Sequence, residues 1–116
     1  MIDVRFEALK GEVLTLDMKG HAGFAELGKD PVCAGASVLA MTVSVCTETM
    51  HREGKLKKAP TMRVKNGRVL VVCKPKPEYW TEALHLFYVA ETGMHLLAES
   101  YPEHVALTPF ATPEEG

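Results

Sequence analysis

The sequence predicts a single α+β domain in which two helices pack on one mainly antiparallel or mixed β-sheet. Short segments alternate apolar and polar residues, as strands do, and two longer segments repeat apolar residues every three or four positions, as helices do. The predicted order along the chain is ββαββαβ. Because no internal repeat and no linker interrupts the 116 residues, we expect one domain over residues 1–116.

The chain begins with a predicted β-hairpin. Charged residues separate the apolar ones in the first strand, whose apolar face comprises Ile2, Val4, Phe6 and Ala8. Gly11 marks the turn, and a second alternating strand continues to Lys19. One face of this hairpin is therefore expected to be buried.

A loop with three glycines, residues 20–30, leads to the first predicted helix. Asp30 followed by Pro31 is typical of an N-cap and the first helical position. Apolar residues recur from Val32 to Met50, and a second apolar row comprises Ala34, Val38, Met41 and Val45. Only a narrow polar stripe remains, so we expect this helix to be buried on most sides. It lacks the ~20 strongly apolar residues of a membrane span.

The second half of the chain predicts a hairpin, a helix and a last strand. Asn66-Gly67 lies between two β-rich segments and indicates a two-residue turn. A helix is predicted from about Glu78 to Ser100, with Gly93 permitting a close approach of another element. A short strand follows at residues 104–107, and residues 111–116 are expected to be a frayed tail.

Composition excludes several classes of protein. At 47% hydrophobic and 24% charged residues the chain is globular. The N-terminus lacks the pattern of a signal peptide, and three cysteines without paired spacing do not suit a secreted disulfide framework. We therefore expect a cytoplasmic protein without a membrane partner. Charge is uneven, with nine basic residues and one glutamate at positions 51–76 and seven glutamates without Lys or Arg at 77–116.

Cys33 is the cysteine whose position suggests chemistry. With Asp30 as N-cap it is the third helical residue, near unpaired backbone N–H groups and the positive end of the helix dipole. These conditions favour the thiolate nucleophile, and the same N–H groups could hold an oxyanion. Cys46 and Cys73 lie on apolar patterns and are expected to be buried hydrophobes.

A thiolate nucleophile needs a partner that transfers protons. His21 lies twelve residues before Cys33, and the flexible loop between them can fold back to place the imidazole beside the helix start. Asp30 could either cap the helix or orient the His21 ring. The cysteines and histidines lack zinc-ligand spacing, and no nucleotide-binding or serine-hydrolase motif occurs, so no metal and no cofactor are expected.

The two segments together resemble the ribosomal-processing cysteine protease family. They are Gly20-His21-Ala22-Gly23 and Asp30-Pro31-Val32-Cys33-Ala34-Gly35-Ala36-Ser37. The family pattern is a G-H-A element followed about a dozen residues later by D-aliphatic-V-C-A-A-aliphatic-S. This chain departs from it at Pro31, Gly35 and Ala36, and none of these departures removes a chemical group.

The resemblance implies a single cysteine-peptidase domain and a specific reaction. Members of the family are cytoplasmic, homodimeric endopeptidases that remove a short N-terminal extension from large-subunit ribosomal protein number twenty-seven. By position, Cys33 would be the nucleophile, His21 the general base and acid, and Asp30 a supporting residue. A mobile loop would order around the substrate, and the positions assigned to substrate binding and gating are Gly20, Gly23, Gly28 and Ser37.

Two alternatives remain open on the sequence alone. One is a non-enzymatic module that binds RNA or the ribosome through the basic segment 52–76, although this segment lacks aromatic residues that would stack on bases. The other is a redox or acyl-transfer thiol protein that uses Cys33 without His21. For the peptidase, no direct contact with nucleic acid is required.

Overall fold

The computed structural model describes residues 1–111, and these form one five-stranded sheet with two long helices on it. The elements follow the predicted ββαββαβ order. They are β1 (Ile2–Leu9), β2 (Val13–Gly20), α1 (Pro31–Arg52), β3 (Thr61–Lys65), β4 (Arg68–Cys73), α2 (Trp80–Ser100) and β5 (Val105–Thr108). A 3₁₀ turn at Pro77–Tyr79 precedes α2, so that helix begins slightly later than predicted. Of the predicted frayed tail, residues 112–116 lie outside the described residues.

The strands form a mixed sheet in the order β3-β4-β2-β1-β5. All neighbouring pairs are antiparallel except β1 and β5, which are parallel. The predicted α+β class is confirmed. Pairing of β2 with β4 places Lys19 opposite Arg68, so the end of β2 and the Asn66-Gly67 turn lie at the same edge of the sheet. That edge contains the candidate site.

The buried core lies between one face of the sheet and the helices. The alternation in the first hairpin buries Ile2, Val4 and Phe6 on β1 and three partners on β2, as predicted. Ala8, near the hairpin turn, is exposed. Phe87 and Met94 of α2 are fully buried against these strands. Burial of this apolar face stabilises the fold by roughly 25 cal/mol for each Å² removed from water.

Helix α1 is less buried than the sequence suggests. The row containing Val32, Ala36 and Val43 is buried, but Ala34, Val38, Met41 and Val45 are exposed. The prediction that α1 is buried on most sides is wrong, because the described residues form two layers and nothing in them covers its outer face. By length and composition alone α1 could span a membrane, with a mean hydropathy of 1.4, but core helices of soluble proteins meet the same criterion.

The two helices approach closely at Gly93. A Cβ atom on Gly93 would lie only 2.7 Å from Cδ2 of Leu39 on α1. The close approach predicted for this glycine is confirmed, since any side chain there would displace Leu39. This contact holds α1 beside α2 and so contributes to fixing the N-terminal turn of α1.

Candidate active site

Asp30 organises the start of α1. Its Oδ1 accepts hydrogen bonds from the N–H groups of Val32 at 2.9 Å and Cys33 at 3.1 Å, and Pro31 is the first helical residue. The predicted N-cap is therefore confirmed. A carboxylate that fills this position fixes the first turn and, with it, the direction of the Cys33 side chain.

The second carboxylate oxygen of Asp30 holds the preceding loop. Oδ2 accepts from the N–H of Phe24 at 2.9 Å and of Ala25 at 3.0 Å. Burial by itself would raise the pKa of Asp30, but its four backbone hydrogen bonds outweigh that effect and hold the pKa below its ordinary value. Among the described residues these backbone groups are its hydrogen-bond partners, so Asp30 acts as a cap and loop anchor and not as an orienter of His21.

The first-turn N–H groups are not available for an oxyanion. The Val32 and Cys33 N–H groups donate to Asp30 Oδ1, and the Ala34 N–H donates to the Asp30 carbonyl at 3.0 Å. The sequence-based expectation that these groups could hold an oxyanion is wrong, because the cap residue satisfies them. A donor for such a charge must come from elsewhere.

The Cys33 thiol is partly buried and receives a backbone donor from the loop. The N–H of Ala22 lies 3.2 Å from Cys33 Sγ. Ala22 itself is buried, with 2% of its surface exposed. This contact places a backbone hydrogen-bond donor on the sulfur and ties the thiol to the loop.

His21 follows β2 directly and is exposed. Its ring lies over the β3–β4 turn, where a Cβ atom on Gly67 would be 3.0 Å from His21 Nε2. His21 and Cys33 line one cleft, but among the described residues no hydrogen bond joins them. The structure thus brings His21 and Cys33 to one site without a hydrogen bond between them. In enzymes without bound substrate such catalytic hydrogen bonds are often long and shorten only when substrate binds.

The cleft beside Cys33 is open and largely apolar. Its volume is about 260 Å³, below the ~300–1,000 Å³ typical of small-molecule sites. Ser37, one helical turn after Cys33, also lines it. The aliphatic side chains that line the cleft are Ile2, Met18, Leu27, Met41, Val64 and Val69.

The β3–β4 turn is a part of the site that the sequence did not predict. Asn66, Gly67 and Arg68 line the cleft, and the Gly67 carbonyl accepts a hydrogen bond from Gly20 N–H at 2.8 Å. The Asn-Gly turn was visible in the sequence, but its position beside His21 depends on the pairing of β4 with β2. Strand order is the missing information.

The loop glycines differ in their surroundings. Gly20 has φ +95° and a Cβ there would overlap the Met1 carbonyl oxygen, so it is required by a close approach of the backbone. Gly23 and Gly28 also have positive φ but face open space. Gly20 therefore lies at the end of β2, within the sheet, whereas Gly23 and Gly28 lie in the loop.

The remaining cysteines have different environments. Cys73 is fully buried, and burial raises its pKa to about 11. Cys46 is partly buried on the outer side of α1.

Among residues 1–111 no group of three His, Cys, Asp or Glu side chains is placed to hold a metal ion.

The cysteine protease Prp family model matches residues 1–106. The chain belongs to the cysteine protease Prp family. It is therefore a cysteine peptidase, which is a hydrolase, and not the non-enzymatic RNA- or ribosome-binding module that the sequence alone left open. The matched range contains every candidate site residue named above.

Solved structures agree with this membership. The essential ribosomal processing protease Prp from S. aureus, with a covalently linked product peptide, is 25% identical, covers 94% of this chain and 99% of its own, and has a TM-score of 0.68. SMU.848 from Streptococcus mutans is 26% identical over 97% of this chain and 96% of its own, with a TM-score of 0.66. A comparison with curated proteins finds no match.

Proposed function

We propose that this protease is an endopeptidase that removes a short N-terminal extension from the precursor of large-subunit ribosomal protein number twenty-seven in the cytoplasm. The observation that supports it is the Cys33 thiol, held by the Ala22 N–H in an open apolar cleft that it shares with His21. The S. aureus relative is a ribosomal processing protease with a peptide product, which supports a ribosomal protein precursor as the substrate.

In the first half of the proposed reaction Cys33 forms an acyl-enzyme. The thiolate sulfur attacks the carbonyl carbon of the scissile peptide, and the carbonyl oxygen takes the negative charge. His21 has taken the proton of the Cys33 thiol, and it gives this proton to the leaving amine as the C–N bond breaks. The amine departs as the new N-terminus of the ribosomal protein. The extension remains bound to sulfur as a thioester.

In the second half water releases the extension. His21, now neutral, takes a proton from a water molecule that attacks the thioester carbon. The C–S bond breaks, the extension leaves as a carboxylic acid that loses its proton to solvent, and the thiolate is regenerated beside the Ala22 N–H. Asp30 supports both halves by fixing the first turn of α1 and the loop, and no cofactor or nucleic acid takes part.

We propose that a substrate peptide completes the site by adjusting the conformation of the loop of residues 21–30, which Asp30 already anchors at Phe24 and Ala25. In this structure His21 and Cys33 line the cleft without a mutual hydrogen bond, so a further adjustment must bring them together. Gly23 and Gly28 permit it because both adopt positive φ in open space. A peptide across the cleft would also exclude water from the thiolate.

The proposal is tested by incubating the protein with a precursor that carries an N-terminal extension. Mass spectrometry of the product should give a single new N-terminus. Cys33→Ala and His21→Ala should each abolish cleavage without unfolding the protein. His51→Ala, at an exposed position at the far end of α1, is the matched control and should cleave normally.

The same variants separate the proposal from a redox or acyl-transfer thiol. A protein of that class would keep most of its thiol reactivity in His21→Ala and would not cleave the precursor. The sequence of the ribosomal protein in the same organism is an independent check. If that protein has no N-terminal extension, the proposed substrate is wrong.

A further inference from the structure

His104 lies outside the sequence motif and outside the cleft, but its ring contacts the loop beside the candidate nucleophile. Its Nδ1 is 2.8 Å from the carbonyl oxygen of Ala22, a residue 82 positions earlier in the chain. A carbonyl oxygen only accepts hydrogen bonds, so Nδ1 must hold the proton and donate it. This contact exists only in the folded chain.

Ala22 is consequently held at both of its backbone polar groups. Its N–H donates to Cys33 Sγ at 3.2 Å, and its carbonyl accepts from His104. Its side chain is buried as well. A residue fixed in this way has little freedom to turn its N–H away from the sulfur, so His104 acts on Cys33 through Ala22.

His104 is itself firmly placed between α2 and β5. Its N–H donates to the Tyr101 carbonyl at 2.9 Å, and its carbonyl accepts from Ile2 N–H at 2.9 Å. The Phe24 ring packs edge-on against His104 and Tyr101, with centroids 5.3 and 5.1 Å apart. The end of α2 and the start of β1 therefore form a rigid support on which the loop rests.

We infer that His104 is a positioning residue for the proposed nucleophile: its Nδ1–H holds the Ala22 carbonyl so that the Ala22 N–H stays on the Cys33 sulfur. The inference rests on the proposed role of Cys33. Loss of the contact should free the Ala22 N–H to turn away from the Cys33 sulfur and make that sulfur less reactive, while the walls of the cleft stay in place. We therefore expect kcat to fall more than KM changes.

Two substitutions separate the hydrogen bond from ring packing. His104→Asn keeps an N–H donor near the Nδ1 position and loses the ring, whereas His104→Phe keeps a ring against Phe24 and loses the donor. The Phe variant should slow Cys33 alkylation by iodoacetamide at neutral pH, and lower kcat, by about fivefold. The Asn variant should recover most of both. His95→Ala, at an exposed histidine of α2, is the control and should change neither.

The opposite pattern would overturn the inference. If His104→Phe alkylates at the unsubstituted rate, ring packing and not the hydrogen bond holds the loop. If His104→Asn falls as far as His104→Phe, an N–H donor at this position is not enough to hold Ala22, and the inference is equally wrong. Nitrogen NMR of the His104 imidazole in the unsubstituted protein is a test that needs no variant to fold. It should show a proton on Nδ1 at neutral pH, and a neutral ring protonated only on Nε2 would contradict the inference. Alkylation and NMR need no substrate, so failure of precursor cleavage would leave this test valid.

Discussion

At the scale of single residues, Asp30 links two parts of the site that are separate in sequence. One carboxylate oxygen fixes the first turn of α1 and the other fixes the loop at Phe24 and Ala25. The Ala22 N–H on Cys33 lies within that loop. The loss of the Asp30 charge should therefore disturb the helix start and the thiol environment together.

We predict that Asp30→Asn destabilises the protein at neutral pH, because an amide offers one acceptor oxygen where the carboxylate offers two. The pKa of Asp30 is lowered on folding, so its stabilising effect is full above the unfolded pKa of about 3.9 and is lost as pH falls through the lower folded pKa. Melting temperatures measured from pH 7 downward should differ at pH 7 and converge in acid. A constant difference across this range would contradict the prediction.

The three cysteines should differ strongly in reactivity. At pH 7 iodoacetamide should label Cys33 at least about tenfold faster than the others, because its sulfur is accessible from the cleft and accepts a backbone donor. Cys73 should label last, since it is fully buried and its pKa is raised to about 11. Mass spectrometry of digested samples measures each site. Equal labelling of all three would remove Cys33 as the candidate nucleophile.

At the scale of elements, α1 has two functions. Its first turn presents Cys33 to the cleft, and its buried row anchors that turn to the sheet. Gly35 lies just after the first turn, and a Cβ there would make ordinary contact with Leu97, 3.5 Å away. Within residues 1–111, the packing therefore does not require glycine at this position.

We predict that Gly35→Ala stabilises the protein by roughly 1 kcal/mol, because alanine has the higher helix propensity. The melting temperature should rise by about 4 °C for a chain of this size. Gly54→Ala is the matched control: φ is +76° there and the space is open, so strain without any clash should lower stability. If both substitutions shift the melting temperature in the same direction, the propensity argument fails.

At the scale of the whole molecule, the outer face of α1 is an apolar surface. Val38 is 65% exposed and Val45 is 58% exposed, and they line a shallow apolar depression with Met41 and Cys46. The family resemblance implies a homodimer, and we propose that this face forms its interface, since covering it would complete the burial that the sequence pattern predicts.

Replacing both Val38 and Val45 with Asp should then convert a dimer to a monomer, because the interface would bury two carboxylates from each chain. Light scattering after gel filtration measures the mass against 12.7 kDa for one chain. Val89→Asp, at a position on α2 that is 72% exposed, should leave the dimer intact. A monomeric unsubstituted protein would contradict the proposed homodimer.

The charge distribution predicts salt-dependent cleavage. The glutamates beyond residue 76, five of which lie in the described part of the chain, should attract a basic ribosomal precursor and raise its association rate. Lys55 pairs with Glu82 at 2.9 Å, which reduces this field locally. Added salt should slow cleavage of the full-length precursor severalfold more than that of a short neutral peptide. Equal salt dependence for the two substrates would exclude steering.

Local patterns determined much of this protein. Strand alternation, the Asn66-Gly67 turn and the Asp30-Pro31 helix start depend on residues close in sequence, so the element order, the α+β class and the place of Cys33 in the first turn of α1 could be predicted. The two-segment motif around His21 and Cys33 identified the family, which the match over residues 1–106 confirms.

The tertiary structure alone decided the surroundings of these residues. Strand order, which alternation does not encode, brings Gly67 under His21 and makes the β3–β4 turn one wall of the cleft. Val38 and Val45 are exposed because the described residues form only two layers, a sheet and the helices on it. Apolar spacing in the sequence is the same whether or not another layer covers that helix face. The His104 contact with Ala22 joins residues 82 positions apart. Such contacts depend on how elements pack in space, and a local pattern contains no information on that packing.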